Sequence, residues 1–251
     1  PDVVRRWEAA AQGWAPRVQR LSFGSDIVPS TDAWPFLHLE SRRIPPIILV
    51  ISGVILALSI AFAWRVRPPG EPSDVRLFWL GAAFMLVEVH NVSRLALVFG
   101  TTWQVNAWVI GAILLVILLA NATYAALRRH GRRVARAATV GLFASLFAGW
   151  LIPLETLLAH AGALGGPAAT FVMTAPLFFA GLVFAEAFAD TPSPGFALGW
   201  NVLGSVVGGL AESLSYVFGL PALVPVAGLF YGLALFSARR RQSAVLLPAV
   251  A

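Results

Sequence analysis

The sequence predicts an all-α, polytopic membrane protein with about seven transmembrane helices. Of the 251 residues, 58% are hydrophobic and only 12% are charged, whereas soluble domains contain roughly 45–50% apolar and about 25% charged residues. Seven apolar segments each approach the roughly 20 residues that an α-helix needs to cross a bilayer. Only helices and closed β-barrels satisfy their backbone hydrogen bonds in lipid, and these segments are too long and too continuously apolar for barrel strands.

Residues 1–43 form the predicted extramembrane N-terminal segment. Apolar residues recur at helical spacing between Val3 and Val18, with charged residues on the other faces, which predicts an amphipathic helix. This helix either lies on the membrane surface or is the last helix of a preceding soluble domain. Because the chain begins with Pro1 and shows no signal peptide, we expect it to be part of a longer or processed product.

A loop rich in Ser, Asp, Gly and Pro follows the amphipathic segment and ends in an aromatic cluster beginning at Trp34. The membrane domain is predicted over residues 44–238, and residues 239–251 form a C-terminal tail. The predicted spans are 44–64, 77–99, 103–126, 138–158, 169–188, 196–217 and 221–238.

Arginine predicts the orientation of these spans. All eighteen basic residues are arginine, and they concentrate in the connections at 65–76 and 127–137 and in the tail at 239–241. With seven spans these three regions lie on one side, which the positive-inside rule makes cytoplasmic. The N-terminal segment is then outside, although Arg42 and Arg43 weigh against that orientation. Since the charge lies at helix ends, we expect a lipid bilayer and not nucleic acid as the partner of the basic residues.

The composition also predicts the source and compartment. A chain without lysine and rich in Ala, Gly, Val and Leu is typical of a GC-rich bacterial genome. We therefore expect a protein of the bacterial inner membrane with a cytoplasmic C-terminus.

Polar residues inside the second span form the leading candidate site. Glu88 falls near the middle of the span, and His90, Asn91 and Arg94 follow it. On a helix, Glu88, Asn91 and Arg94 form a polar ridge about 9 Å long. Charge in hydrocarbon is costly, so this ridge must face protein or water.

The sixth span carries a second polar face. The residues that share this face are Asn201, Gly204, Ser205, Gly208, Glu212 and Ser215. Gly204 and Gly208 form a small-xxx-small pair, which favours close approach of another helix. Helix packing accounts for the small residues on this face, but it does not explain the carboxylate of Glu212.

The second and sixth spans run in the same direction, and Arg94 and Glu212 each lie about five residues before the end of their spans. We therefore predict contact between Arg94 and Glu212, direct or through water, with Glu155 as the competing partner. Two interpretations are open: a structural ion pair that fixes helix register, or a site for a ligand or a proton.

The sequence indicates no catalytic residues, no cofactor and no metal site. Cysteine is absent, which excludes disulfides and thiolate ligands. No glycine-rich phosphate loop is found, and no Ser/His/Asp set can be assembled because His90 is the one histidine well inside a span. A bis-histidine haem is not expected for the same reason, and a single axial ligand from His90 is the remaining haem alternative.

Several motifs resemble the membrane region of spermidine-synthase-like, multi-pass membrane proteins. These are Trp34-Pro-Phe-Leu with Arg43-Ile-Pro, Phe84-Met-Leu-Val-Glu, Leu95-Ala-Leu-Val-Phe-Gly, Thr102-Trp-Gln-Val-Asn, and the stretch from Asn201 to Glu212. The similarity covers most of residues 32–240. One departure is Asp32-Ala-Trp where the family is expected to show an Asp-Asp-Trp-Pro run.

The resemblance implies that a nucleotide-binding-type, aminopropyltransferase-like domain precedes Pro1. This chain would then be a membrane domain without catalytic activity of its own, holding a polar or cationic ligand such as a polyamine near Glu88. Such an enzyme domain belongs in the cytoplasm, whereas the arginine distribution places the N-terminal side outside. The alternatives are an accessory subunit of a larger membrane complex, with other membrane subunits as partners, and a small transporter.

Overall fold

The computed structural model describes residues 29–66, 74–100, 102–152, 165–189 and 191–246. The amphipathic helix expected between Val3 and Val18 and the candidate partner Glu155 lie outside these ranges. Within them, the prediction of an all-α polytopic membrane protein is confirmed. Seven helices are long and apolar enough to span a membrane.

The helices are numbered here in chain order. They are α1 (Pro46–Val66), α2 (Val75–Phe99), α3 (Trp103–Leu127), α4 (Gly131–Leu151), α5 (Gly165–Ala189), α6 (Pro194–Ala211), the short α7 (Ser215–Phe218) and α8 (Leu223–Leu246). Single 3₁₀ turns at Arg128–His130, Glu212–Leu214 and Leu220–Ala222 join α3 to α4, α6 to α7 and α7 to α8.

The fourth span differs most from its prediction of 138–158. Helix α4 begins at Gly131, inside the arginine-rich connection, and ends at Leu151 with Ile152 in an extended conformation. Arginine is a good helix former, so the helix begins before the apolar run that hydropathy detects. For the same reason, α8 extends through the arginines of the predicted tail to Leu246.

Helix α2 lies at the centre of the bundle, packed against α6, α8 and α5. Helix α5 also packs against α3 and α4, which form the other side of the bundle. Among the residues that the structure describes, α1 packs mainly against α6, and its membrane-spanning stretch is not buried. The candidate residues on α2 therefore lie on the helix with the most neighbours.

The glycines of α6 let it approach the backbone of α2. A Cβ added at Gly204 would overlap the carbonyl oxygen of Phe78, and one added at Gly208 would overlap that of Ala82. A step of four residues on α6 thus matches a step of four on α2, so the two helices run parallel and in register. The predicted small-xxx-small packing is confirmed, and its partner helix is α2.

Candidate functional site

His90 lies in the second half of α2 and is buried, with 5% of its surface exposed. Its Nδ1 lies 3.1 Å from the carbonyl oxygen of Leu220, in the turn that leads into α8. Since a carbonyl oxygen only accepts, Nδ1 carries the proton and Nε2 keeps its lone pair. His90 thereby joins α2 to the α7–α8 turn and presents an acceptor on its other ring nitrogen.

Asn91 is also buried and joins α2 to α5. Its side-chain Nδ2 donates a 2.6 Å hydrogen bond to the carbonyl oxygen of Met173. Pro176, three residues further along α5, has no N–H, so the carbonyl of Val172 lacks its usual intrahelical donor. Asn91 therefore bonds to a turn of α5 in which one intrahelical hydrogen bond is missing. The Asn91 side chain holds α2 and α5 together at the site.

Arg94 lies one turn beyond His90 and contacts the segment that precedes α1. Its Nη1 donates to the main-chain oxygen of Asp32 at 3.2 Å. The next carbonyl, that of Ala33, accepts a 2.8 Å hydrogen bond from the backbone N–H of Leu220. The segment that precedes α1 is thus bonded to both elements that hold His90.

Trp34 fixes this segment in place. Residues 31–34 form a tight turn closed by reciprocal backbone hydrogen bonds between Thr31 and Trp34. The indole is 1% exposed, and its Nε1 donates a 2.8 Å hydrogen bond to the carbonyl oxygen of Tyr216 on α7. Phe36 packs on the Tyr216 ring at 4.6 Å between centroids. The predicted aromatic cluster is therefore a docking contact between the N-terminal segment and the far end of the chain, and we call residues 31–36 the docking loop.

A cavity of about 250 Å³ lies where these elements meet. Its lining comes from the docking loop, the ends of α2 and α4, α5, and the start of α8: Asp32, Ala33, His90, Arg94, Gly149, Trp150, Ile152, Met173, Pro221 and Val224. Exposed residues such as Trp150 surround its mouth, and buried His90 and Met173 form its floor. A second cavity of about 20 Å³, which shares His90 and Met173 and adds Asn91 and Pro176, has room for about one water molecule.

Three of the predicted site residues therefore lie together. His90 and Arg94 line the larger cavity, and Asn91 lines the smaller one. Glu88 lines neither cavity; it is half-buried and makes no hydrogen bond or ion pair with any residue that the structure describes. Asn201 donates to the carbonyl oxygen of Leu77 at 3.1 Å, which makes it a packing residue of the α2–α6 interface.

The predicted contact between Arg94 and Glu212 is not formed within the described part of the chain. The reason is helix register. Gly204 packs on Phe78 and Gly208 on Ala82, so Glu212 lies level with Leu86. Arg94 is eight residues further along, about 12 Å at 1.5 Å per residue. Counting residues from the ends of the spans placed the two groups at the same depth, whereas the glycine contacts place Glu212 near the level of Glu88.

An ion pair that the sequence analysis did not predict lies at the opposite end of the bundle. The Arg76 Nη2 donates to Glu186 Oε2, joining the first turn of α2 to the end of α5. Both side chains are mostly buried. Because α2 and α5 cross the membrane in opposite directions, the start of α2 and the end of α5 lie on the same side. The sequence could have predicted the pair, since Arg76 and Glu186 are opposite charges at the same depth.

Comparison with known proteins adds no relative: no family model, no curated protein and no solved structure matches this chain. The candidate site is thus defined by its own geometry, as a small cavity whose described lining includes the side chains of Arg94, His90 and Asp32.

Proposed function

We propose that the chain is a membrane domain that anchors an extramembrane segment and binds a small polar ligand in the cavity beneath it. The observation that carries this proposal is the cavity lined by His90 and Arg94, at the end of the bundle where the docking loop is attached. Ligand sites are concave, mostly apolar and furnished with a few placed polar groups, and this cavity has that composition. Ionisable groups inside a membrane domain are expensive to keep and mark functional pathways by default.

The attachment of the docking loop supports the anchoring part of the proposal. Asp32, Ala33 and Trp34 each hydrogen-bond to a different element of the bundle. The docking loop, which precedes the first membrane helix, therefore lies at the rim of the cavity. We propose that a soluble domain of the spermidine-synthase-like kind occupies that position; its support is the motif resemblance and this placement.

The ligand position proposed here is displaced from Glu88 toward the end of α2. A cation such as a polyamine would meet the guanidinium of Arg94 in the cavity, which opposes it electrostatically. An anion or a neutral polar group is better suited to that wall. A polyamine site beside Glu88 remains the alternative position for a ligand.

A binding panel tests the proposal. The protein, purified in detergent, is heated with inorganic phosphate, acetate or spermidine, and its thermal midpoint is recorded. A ligand that binds only the folded state at 100 times its Kd stabilises that state by about 2.7 kcal/mol. We expect stabilisation by a small anion in the parent protein, its loss in Arg94→Gln, and its retention in Arg136→Gln, which alters an exposed arginine of α4.

Two results would contradict the proposal. One is that none of the three compounds shifts the midpoint. The other is a shift of equal size in Arg94→Gln and Arg136→Gln, because the compound would then bind outside the cavity. Stabilisation by spermidine that disappears in Glu88→Gln and persists in Arg94→Gln would move the site to Glu88.

A further inference from the structure

We infer that the hairpin of α3 and α4 binds an anionic phospholipid, with the headgroup at the turn and an acyl chain along the outer face of α4. This site lies at the opposite end of the bundle from the cavity, and it is independent of the ligand proposed there. It combines exposed arginines at the turn with exposed apolar residues directly below them.

The turn between α3 and α4 lies where two membrane spans meet. Helix α3 ends at Leu127 and α4 begins at Gly131, so the 3₁₀ turn Arg128–His130 is the whole connection. The apolar span of α3 reaches His130, and that of α4 starts at Arg133. Because both helices cross the bilayer, so short a turn stays at the level of the lipid headgroups.

The exposed surface of this turn is basic. Arg128, Arg129 and Arg133 are exposed in the turn and in the first turn of α4. The sequence contains no aspartate or glutamate between Glu88 and Glu155, so the hairpin has no acidic residue of its own. A guanidinium presents several N–H donors in one plane, an arrangement that matches phosphate oxygens. The turn therefore attracts a headgroup whose phosphate charge is not compensated by a cation.

The outer face of α4 continues below the turn as an apolar surface. Arg133, Val140 and Phe147 are seven residues apart, which places them on one face of the helix. Val140 is 69% exposed and Phe147 is 59% exposed, whereas Leu142 and Leu146 on the opposite face are buried. Val140 lies about 10 Å along the helix from Arg133. An acyl chain can therefore lie on this face while its headgroup reaches the arginines.

The apolar surface below the turn makes a lipid the occupant, and not a soluble anion. Exposed arginines hold a free anion weakly, because water and salt screen the attraction. A phospholipid is already confined to the membrane surface by its acyl chains, so its headgroup stays beside the arginines. The charge and the apolar face then act on the same molecule.

The charge of the headgroup determines which phospholipids the site selects. Phosphatidylglycerol carries a net negative charge and no cationic group, whereas phosphatidylcholine carries a quaternary ammonium beside its phosphate. The arginines repel that ammonium and so favour phosphatidylglycerol. Each arginine near an anionic membrane surface strengthens binding by about fivefold.

Arginine at a membrane surface also sets the topology of a protein during insertion. That role ends once the helices have crossed the bilayer, and it requires no preference among lipids afterwards. A preference for anionic lipid that is confined to the hairpin of the folded protein therefore separates lipid binding from topology alone.

Fluorescence quenching at Val140 tests the inference. The chain has no cysteine, so Val140→Cys can be labelled with bimane and reconstituted in bilayers that contain lipids with brominated acyl chains. Bromine quenches only a nearby label, so brominated phosphatidylglycerol and phosphatidylcholine report their relative binding at this position. We expect phosphatidylglycerol to bind at least about fivefold more strongly there. Replacing Arg129 and Arg133 together by glutamine should lower this preference by at least about fivefold, and both side chains are exposed, so the fold is retained.

Two controls localise the effect. Arg65→Gln removes an exposed arginine at the same end of the bundle but on α1, and should change the preference at Val140 by less than about twofold. Val202→Cys places the label at a similar distance from the same end, on α6, where it is 56% exposed. The sequence has no lysine or arginine from residue 137 to residue 238, so the two lipids should quench that label about equally.

Equal quenching by the two lipids at Val140 in the otherwise unchanged protein would overturn the inference. A preference that persists when both arginines are replaced would overturn it as well. So would a preference of the same size at Val202, or one that Arg65→Gln removes as completely as the double replacement, because the lipid would then respond to the charge of the whole surface and not to the hairpin.

Discussion

The indole Nε1 of Trp34 donates a 2.8 Å hydrogen bond to the main-chain oxygen of Tyr216, 182 residues further along the chain. This bond attaches the segment before the first membrane helix to the turn between the last two. In the same loop, the main-chain oxygens of Asp32 and Ala33 accept hydrogen bonds from Arg94 and from the backbone N–H of Leu220. The docking loop and the polar site are therefore one structural unit.

Trp34→Ala should destabilise the protein by about 3–5 kcal/mol, because it removes a fully buried aromatic side chain. Trp34→Phe keeps a ring and loses the hydrogen bond, and should cost about 1 kcal/mol. SDS titration of the purified protein in mixed micelles measures both. Trp64→Ala is the control: that side chain is 78% exposed, so its loss should change stability by less than about 0.5 kcal/mol. Equal effects at the two tryptophans would mean that the docking loop is not attached as described.

The register of α2 and α6 depends on glycine. Gly204→Ala and Gly208→Ala place a methyl group against the carbonyl oxygens of Phe78 and Ala82, and each should destabilise the bundle by about 1–3 kcal/mol. Gly199→Ala lies on the same helix with nothing within 4 Å of the added Cβ. It should stabilise the protein by about 0.4–1 kcal/mol, since alanine restricts the unfolded chain. The same titration compares the three variants, and a stabilising Gly204→Ala would refute the close approach.

The ion pair between Arg76 and Glu186 should be energetically coupled. Each single replacement by glutamine leaves a mostly buried charge without its partner and should cost about 1–3 kcal/mol. The double variant should recover part of that loss, with a coupling free energy of about 0.5–3 kcal/mol in a double-mutant cycle. Strictly additive losses would show that the two charges do not interact.

Glu88 and Glu212 should behave in the opposite way. Neither carboxylate bonds to a residue that the structure describes, and both are half-buried within spans. Replacing either with glutamine removes a charge that is costly to hold there, so Glu88→Gln and Glu212→Gln should be neutral or stabilising by roughly 0–1 kcal/mol. Glu186→Gln, measured in the same titration, is the comparison, because it is expected to destabilise the protein. Destabilisation of Glu88→Gln as large as that of Glu186→Gln would reveal a partner for Glu88.

The sequence predicted the seven spans because the bilayer requires long, continuously apolar helices. It predicted that Gly204 and Gly208 form a contact face, because small residues permit close approach. It did not identify α2 as the partner helix, since many helices offer a compatible surface. The predicted depth of Glu212 relative to Arg94 was wrong for that reason. Relative depth depends on the register between α2 and α6, and counting residues from the ends of the spans gives no information on that register.

The site itself was predicted in part. The polarity of His90, Asn91 and Arg94 inside a span singled them out, and the structure brings all three to the two cavities. The rest of the described wall includes Asp32 on the docking loop and Met173 on α5. These residues carry no signal of their own, because their position depends on contacts between distant parts of the chain.

Water access to the cavity tests the central claim most directly. The chain has no cysteine, so single cysteines can be labelled without background. Met173 lines both cavities, whereas Leu177, one turn along α5, is fully buried and lines neither. In membranes permeabilised so that the reagent reaches both sides, a charged, water-soluble thiol reagent should modify Met173→Cys and leave Leu177→Cys unmodified. If Met173→Cys resists the reagent as completely as Leu177→Cys in the folded protein, there is no aqueous cavity at His90 and Arg94.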